Sequence, residues 1–376
     1  MKIDTDFVLK LMNDFENWRE SYNGSKYGYG LDEYCKDMKY EYPEAYAKFG
    51  NGYLLLYRVT GDKSWFHKAK ECANWLLENY YTDFDNYSWG LPFKFKSVPA
   101  FSSYLITTVF CCDFLLRAYN MIGRNDYLSA VLGASKWILN ELYRKNGNEY
   151  YFLYSPYNCL KYNIYNATSL TAGFYVKLEK TTKGNYKKIY ENVVNNIVSK
   201  QNKNSLWKYS DFNETIDCLH TAYTLEGLVE YLSGDGNNNK VKKAFDKGMK
   251  AFKNSFVSPN GFCFMRLPLG FSSSVKKGIK ELSKNSILKF RRFFRIYSVK
   301  EGARLWGYAA AIRLFVKSND LEFAVKILTS AAKNLYNKEG FFNYKWSEPS
   351  IFIRHEAHMF ESMGYFVEKS CESDIH

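Results

Sequence analysis

Five short turns punctuate the chain: Thr60-Gly61-Asp62, Gly123-Arg124-Asn125-Asp126, Lys183-Gly184-Asn185, Ser233-Gly234-Asp235 and Ser318-Asn319-Asp320. Each follows an apolar segment and precedes an amphipathic one. Recurrence at this scale is the signature of stacked helical pairs, and it constrains the fold more than any single motif. The first pair shows the pattern. Tyr46, Phe49, Tyr53, Leu56 and Tyr57 recur at helical spacing before the turn, and Trp65, Ala69, Cys72, Trp75 and Leu76 recur after it. Glycine at a helix end and aspartate at the next start are C-cap and N-cap chemistry. With only 7 prolines in 376 residues, little interrupts such helices.

A second class of connection alternates with these turns. It is longer and aromatic: Tyr87–Phe93, Glu149–Phe152, Leu206–Tyr209, Gly261–Phe264 and Gly340–Trp346. Alternating runs of this kind read as short strands or β flaps. The periodicity predicts helices over about 4–21, 42–60, 62–80, 101–121, 125–144, 165–180, 184–200, 216–232, 239–255, 300–317, 320–336 and 353–369. Twelve helices make six hairpins if the last pairs with the first. The expected fold is therefore all-α, an (α/α)6 toroid formed as one domain over 1–376, with β flaps at one mouth and a basic insert at about 270–298. The first helix of each hairpin lines the ring and is apolar on nearly all sides; the second is amphipathic and packs outside. Every long aromatic connection then leads into the N-terminus of an inner helix, so all gather at one mouth. Free N–H groups and the positive dipole end favour an anionic ligand there.

The charge is uneven. Of a formal +13, residues 276–300 hold nine cations, from Lys276 to Lys300, against Glu281 alone. Ile279, Leu282, Ile287, Leu288, Phe290, Phe293 and Phe294 interleave with them. Such a segment suits an anionic membrane surface, through 276–295, or an acidic polymer; a solvated flap over a cleft is the alternative. No nucleic-acid-binding signature is present, so nucleic acid is not an expected partner. The eight cysteines form no CxxC pair, which excludes zinc ribbons and thioredoxin-type motifs and fits free thiols in a reducing compartment. The first residues carry acids and no apolar stretch, so a secretory leader is not expected, and no apolar run reads as a membrane span. The expected location is cytoplasmic, peripheral at the inner membrane.

Three of the five histidines, His220, His355 and His358, fall at the starts of inner helices. Asp217, His220 and Thr224 share one helix face by spacing. Asn163 and Asn166 enter another inner helix. Lys300, Glu301, Arg304 and Trp306 enter a third, and Arg354, His355, Glu356 and His358 a fourth. Trp89, Lys94, Trp207, Tyr209 and Asp211 stand in the connections. A wide pocket of aromatic rings with scattered carboxylates, arginines and histidines suits a saccharide: rings stack on apolar sugar faces, and polar groups take the hydroxyls. The expected catalytic residues are Asp217, His220 and Glu301. Trp89, Lys94, Asn166, Trp207, Tyr209, Arg304, Arg354 and His358 are expected to bind substrate. Each has a structural alternative, as a helix-dipole partner, a cap or plain packing. His355-Glu356-Ala357-His358 spaces its histidines three apart, so the zincin motif is absent. No metal or cofactor is expected.

Three stretches carry a family resemblance. Trp89-Gly90-Leu91-Pro92-Phe93-Lys94, with Thr107-Thr108 after it, resembles a G-x-P-F-x-W stretch and the threonine-rich helix that follows it. Trp207-Lys208-Tyr209, Ile216-Asp217-Cys218-Leu219-His220-Thr221 and Leu225-Glu226-Gly227-Leu228 resemble W-x-Y, D-x-x-H-T and L-E-x-L. Phe342, Tyr344-Lys345 and Phe352-Ile353-Arg354-His355 resemble an aromatic run followed by M/I-R-W. These are motifs of the VpsJ-type polysaccharide-biosynthesis proteins, similar in turn to the helical domain of uronyl C5-epimerases. The similarity extends over roughly 40–370. It implies an (α/α)6 fold and work on surface polysaccharide. Three functions remain open: an enzyme on an acidic or lipid-linked glycan (epimerase, lyase or hydrolase), a non-catalytic saccharide-binding scaffold, and isoprenoid chemistry. The last lacks any DDxxD or DxDD run. Removing a proton next to a uronate carboxylate needs a Tyr or His base and a cation such as Lys300, Arg304 or Arg354. Hydrolysis needs two carboxylates, Asp217 with Asp211 or Glu301.

Overall fold

The computed structural model describes residues 4–81, 84, 86–157, 161–235, 238–266 and 302–373. The basic insert and Glu301 lie outside the described residues. Among these residues the chain forms twelve α-helices: α1 (Thr5–Asn23), α2 (Pro43–Thr60), α3 (Lys63–Glu78), α4 (Leu105–Ile122), α5 (Asn125–Trp137), α6 (Tyr165–Thr182), α7 (Lys187–Ser199), α8 (Cys218–Asp235), α9 (Asn239–Phe256), α10 (Leu305–Lys317), α11 (Leu321–Asn334) and α12 (Ile353–Ser373). The even-numbered helices form the inner ring. Each packs on the next, and α12 closes on α2. The odd-numbered helices lie outside, with α1 against α12. This is the (α/α)6 toroid.

Sequence pattern explains the two layers. On α9 only Val241, Ala244, Phe245, Gly248, Met249, Phe252 and Phe256 are buried, one stripe at helical spacing. On α10 every residue from Leu305 to Val316 is buried. Helix α4 is long and apolar enough to cross a membrane by length and composition, but most of it is buried as an inner helix of the ring. At the short turns, Gly61 and Gly123 take left-handed φ values of 70° and 77° and cap α2 and α4. Asp62 and Asp320 accept from the first-turn N–H groups of Ser64 and Phe323. In the third turn Lys183, not Gly184, is the left-handed residue, at φ 57°.

Inner helices approach closely where glycine permits. A Cβ on Gly227 of α8 would lie 2.2 Å from the Ser169 carbonyl oxygen of α6. Gly227→Ala must therefore push two backbones apart. A thermal melt should show a loss of about 1–3 kcal/mol, the usual range for overpacking.

The long connections are less strand-like than their sequence suggests. Three antiparallel hairpins form: β1 (Tyr29–Asp32) with β2 (Cys35–Glu41), β3 (Gly90–Leu91) with β4 (Ser102–Ser103), and β5 (Tyr143–Asn146) with β6 (Glu149–Phe152). A π-helical turn, Ile138–Leu142, ends α5 and feeds β5, where the pattern had suggested helix to 144. The runs at 206–209, 261–264 and 340–346 form no described strand pairs. Residues of the last two runs make isolated bridges, and one stitch recurs along the chain. The first N–H of an inner helix donates to a carbonyl of the following connection: Leu105 to Tyr154, Tyr165 to Tyr209, Cys218 to Met265 and Leu305 to Tyr344, at 2.8–3.1 Å. The stitch satisfies a helix-end donor that would otherwise lack a partner. It also hangs an aromatic or methionine side chain beside each helix start, at one mouth of the ring.

Candidate functional site

That mouth opens into a cavity of about 460 Å³. Tyr34, Phe95, Tyr104, Tyr154, Tyr162, Tyr209 and Trp306 give it aromatic walls, and Tyr154 and Tyr209 are stitch residues. Asn166, Asp217, His220, Arg304 and Arg354 line it as well, from four different inner-helix starts. The Asn166 side-chain oxygen is buried with no partner among the described residues.

Asp217 precedes the first residue of α8. Its Oδ1 accepts from the His220 backbone N–H at 2.9 Å, as an N-cap does, and its Oδ2 lies 2.6 Å from His220 Nδ1. Burial raises the Asp217 pKa, but the charge and hydrogen bonds of His220 outweigh it and hold the carboxyl below its usual range. An ionised carboxylate at Nδ1 fixes the Nδ1–H tautomer. The other ring nitrogen, Nε2, has no protein partner among the described residues. The His220 side chain is 25% exposed, and the Tyr209 ring meets it edge-on at 4.5 Å.

Other expected residues sit elsewhere. Trp89 and Trp207 do not line the cavity. Each is buried, and its indole N–H donates to an outer-helix carbonyl, Leu76 at 3.1 Å and Ile197 at 2.8 Å. They pin the connections to the outer ring, since a buried indole N–H needs a partner. Lys94 is exposed outside the cavity, whereas its neighbours Phe95 and Lys96 line it. His358 is fully buried behind the wall. Its Nε2 lies 2.8 Å from Glu44 Oε1 and its Nδ1 3.1 Å from the Tyr223 hydroxyl, to which Trp306 Nε1 also donates. Burial, then the nearby Lys48 and Arg313 charges, push His358 well below the usual histidine range, so it is neutral.

Arg354 was expected to hold a negative group of the ligand. Instead its fork is filled from within the protein: Nε and Nη2 donate to Asp32 at 2.7 and 3.0 Å, and Nη1 to Glu44 at 3.0 Å. Arg304 Nη1 likewise donates to both Glu33 oxygens at 2.5 and 2.6 Å, and Tyr344 donates its hydroxyl to Glu33 at 2.7 Å. Burial raises Glu33, but His355 and Arg304 outweigh it and keep the carboxyl well below its usual range.

Asp32, Glu33 and Tyr34 belong to the β1–β2 hairpin and its turn, which sequence reasoning missed. Their partners lie about 270–320 residues away, so no local spacing reports them. The one available signal is an acidic pair set inside the short run Tyr29-Gly30-Leu31-Asp32-Glu33-Tyr34. Among the described residues no group of three or more His, Cys, Asp or Glu side chains converges as a metal site.

The fold recurs in solved structures of carbohydrate-active proteins. A cellobiose 2-epimerase from Bacillus thermoamylovorans matches at TM-score 0.69 and 14% identity, over 97% of this chain and 100% of that one. A family GH76 α-mannanase from Bacteroides thetaiotaomicron matches at 0.68 and 10%, over 98% and 97%. A polysaccharide lyase matches at 0.61 and 11%, over 98% and 97%. At these identities the likeness shows the fold alone. No protein-family model and no curated protein matches the chain.

Proposed function

We propose that this chain is a glycan-processing enzyme that moves a proton on a saccharide seated in the aromatic cavity, as an epimerase or lyase does. The observation that carries this reading is the Asp217–His220 pair. An imidazole held by Asp217 at Nδ1, with its other ring nitrogen free of protein partners among the described residues, is placed to act as a general base. The other candidate bases fit less well. Burial raises Tyr154, Tyr209 and Tyr223 above the ordinary phenol value, so they keep their protons and serve as donors. A two-carboxylate hydrolase is disfavoured among the described residues. Asp217 is tied to His220, and Asp211 accepts from Tyr165 and pairs with Lys200 outside the cavity lining, while Glu301 lies outside the described residues. An epimerase and a lyase both stand among the structural neighbours, so the fold admits this chemistry.

Asn166 supplies an acceptor for a sugar hydroxyl, and the tyrosines supply stacking faces and donors. The arginines of the floor are matched by Asp32, Glu33 and Glu44. Acidic groups of a glycan therefore meet Lys96 and Arg266 at the rim, both exposed. The motif resemblance adds surface polysaccharide as the setting, with the 276–295 segment holding the protein at an anionic inner-membrane surface.

The experiment is incubation in D2O with a panel of uronate-bearing and neutral reducing oligosaccharides, read by NMR. An epimerase should place solvent deuterium on one sugar carbon, a lyase should instead cleave the chain and leave a C=C bond in the product, and Asp217→Asn should suppress either while saccharide binding persists. Bond cleavage with neither deuterium at carbon nor a new C=C bond favours a hydrolase. Binding with neither exchange nor cleavage replaces the enzyme by the saccharide-binding scaffold.

A further inference from the structure

At the opposite mouth, near the C-terminal ends of α2, α4 and α6, lies a second cavity of about 610 Å³. It shares no lining residue with the first. Its charged lining is Arg58, Arg117, Lys177 and Lys180 against Asp113 alone. Cations in the last turn of a helix offset the dipole, which accounts for Arg58 and Lys180. Lys177 is matched by Asp113 at 2.6 Å and Glu230 at 3.1 Å, and Arg58 by Glu368 at 2.6 Å.

Arg117 is different. It lies more than a turn before the end of α4. Its Nη2 donates to the Tyr365 hydroxyl at 2.8 Å, and its guanidinium rests over the Tyr365 ring at 5.1 Å. Among the described residues no carboxylate stands in ion-pair contact with it. Glu368, Asp113 and Glu361 offset its charge from a distance, but its fork is left without a direct carboxylate contact. Lys180 is exposed at the rim and likewise has no carboxylate partner among the described residues.

We propose that this cavity is a second binding site, for a phosphorylated small molecule. Arg117 offers a planar fork to phosphate oxygens, and Lys180 adds charge from a neighbouring helix. Asn120 and Thr181 add polar contacts, and the volume accommodates more than one phosphate group.

The test uses the full chain and inorganic pyrophosphate, followed by titration calorimetry at low salt. Pyrophosphate should bind, and binding should weaken as salt rises. Arg117→Gln and Lys180→Glu should each weaken it about tenfold or more. His220→Gln should leave it unchanged, which separates this site from the proton-transfer reading. If Arg117→Gln does not fold, Lys180→Glu decides, because that side chain is exposed. The proposal is overturned by no binding at millimolar pyrophosphate. Affinity unchanged in both variants overturns it too, since the anion is then held elsewhere, as on the 276–295 segment. Binding of a uronate trimer but not of pyrophosphate overturns the phosphate assignment.

Discussion

Turnover should fall about 10²–10⁴-fold when His220 is replaced by glutamine, the range a positioned general base supplies. The side chain is a quarter exposed, so the fold should survive the change. Glutamine keeps polarity and approximate reach but has no basic nitrogen. A melting curve on the same preparation separates the two effects: catalysis should collapse while Tm moves little. Asp217→Asn is the sharper companion. Asparagine still caps α8, since its oxygen accepts from the first-turn N–H as aspartate does. It loses only the charge that sets the imidazole tautomer. If both variants turn over normally once folded, His220 is not the base and Asp217 is simply a cap.

The largest effect on stability should come from Arg313→Met. Arg313 lies inside the ring, buried, with Nε and Nη2 on Glu226 at 2.9 Å each and Nη1 on Glu361. Lys317 also reaches Glu226, at 2.7 Å, and Glu230, at 2.5 Å. Lys48 reaches Glu361 at 2.9 Å. Removing one member of a buried ion set leaves its partners charged and short of a counter-ion, at a cost of about 3–5 kcal/mol. Denaturant unfolding should show that loss, with a fall in Tm of several degrees. The pH dependence follows from the same groups. Burial raises Glu361 and Glu226, but the cations outweigh it. Glu361 is held down at about 2, and Glu226 well below its usual range. Carboxyls depressed on folding stabilise the native state above their unfolded pKa, near 4.3, and lose that contribution as pH falls through the folded value. Wild-type stability should therefore decline in two stages as pH falls: through about 6.5, where the buried His358 and His355 gain protons only on unfolding, and again from about pH 5 toward pH 2 as these carboxyls protonate. Arg313→Met should decline less steeply, because its carboxyls are less depressed.

The ring itself was legible because its causes are local. Helical spacing, caps and the alternation of short and long connections lie within a few residues of one another, and together they require inner and outer layers. Asp217 and His220 were legible for the same reason, being three residues apart on one helix. Arg304 and Arg354 were placed at the right mouth but given the wrong partners. Their carboxylates arrive on the β1–β2 hairpin and the start of α2, from the far end of the chain across the ring closure. Trp89 and Trp207 read as sugar platforms because an indole in an aromatic loop looks the same whichever way it faces. Only their hydrogen bonds to Leu76 and Ile197 show that they face the outer helices.

The ions around Arg313 also decide how a ligand can travel. Beneath the aromatic cavity the bore holds Lys48, Asp113, Lys177, Glu226, Glu230, Lys317 and Glu361, and the free space among them is about 20 Å³, enough for a water and far short of a sugar ring. Among the described residues the ring is thus a blind well, not a tunnel. A polymer cannot be threaded through it and advanced unit by unit. Whatever enters must back out the way it came.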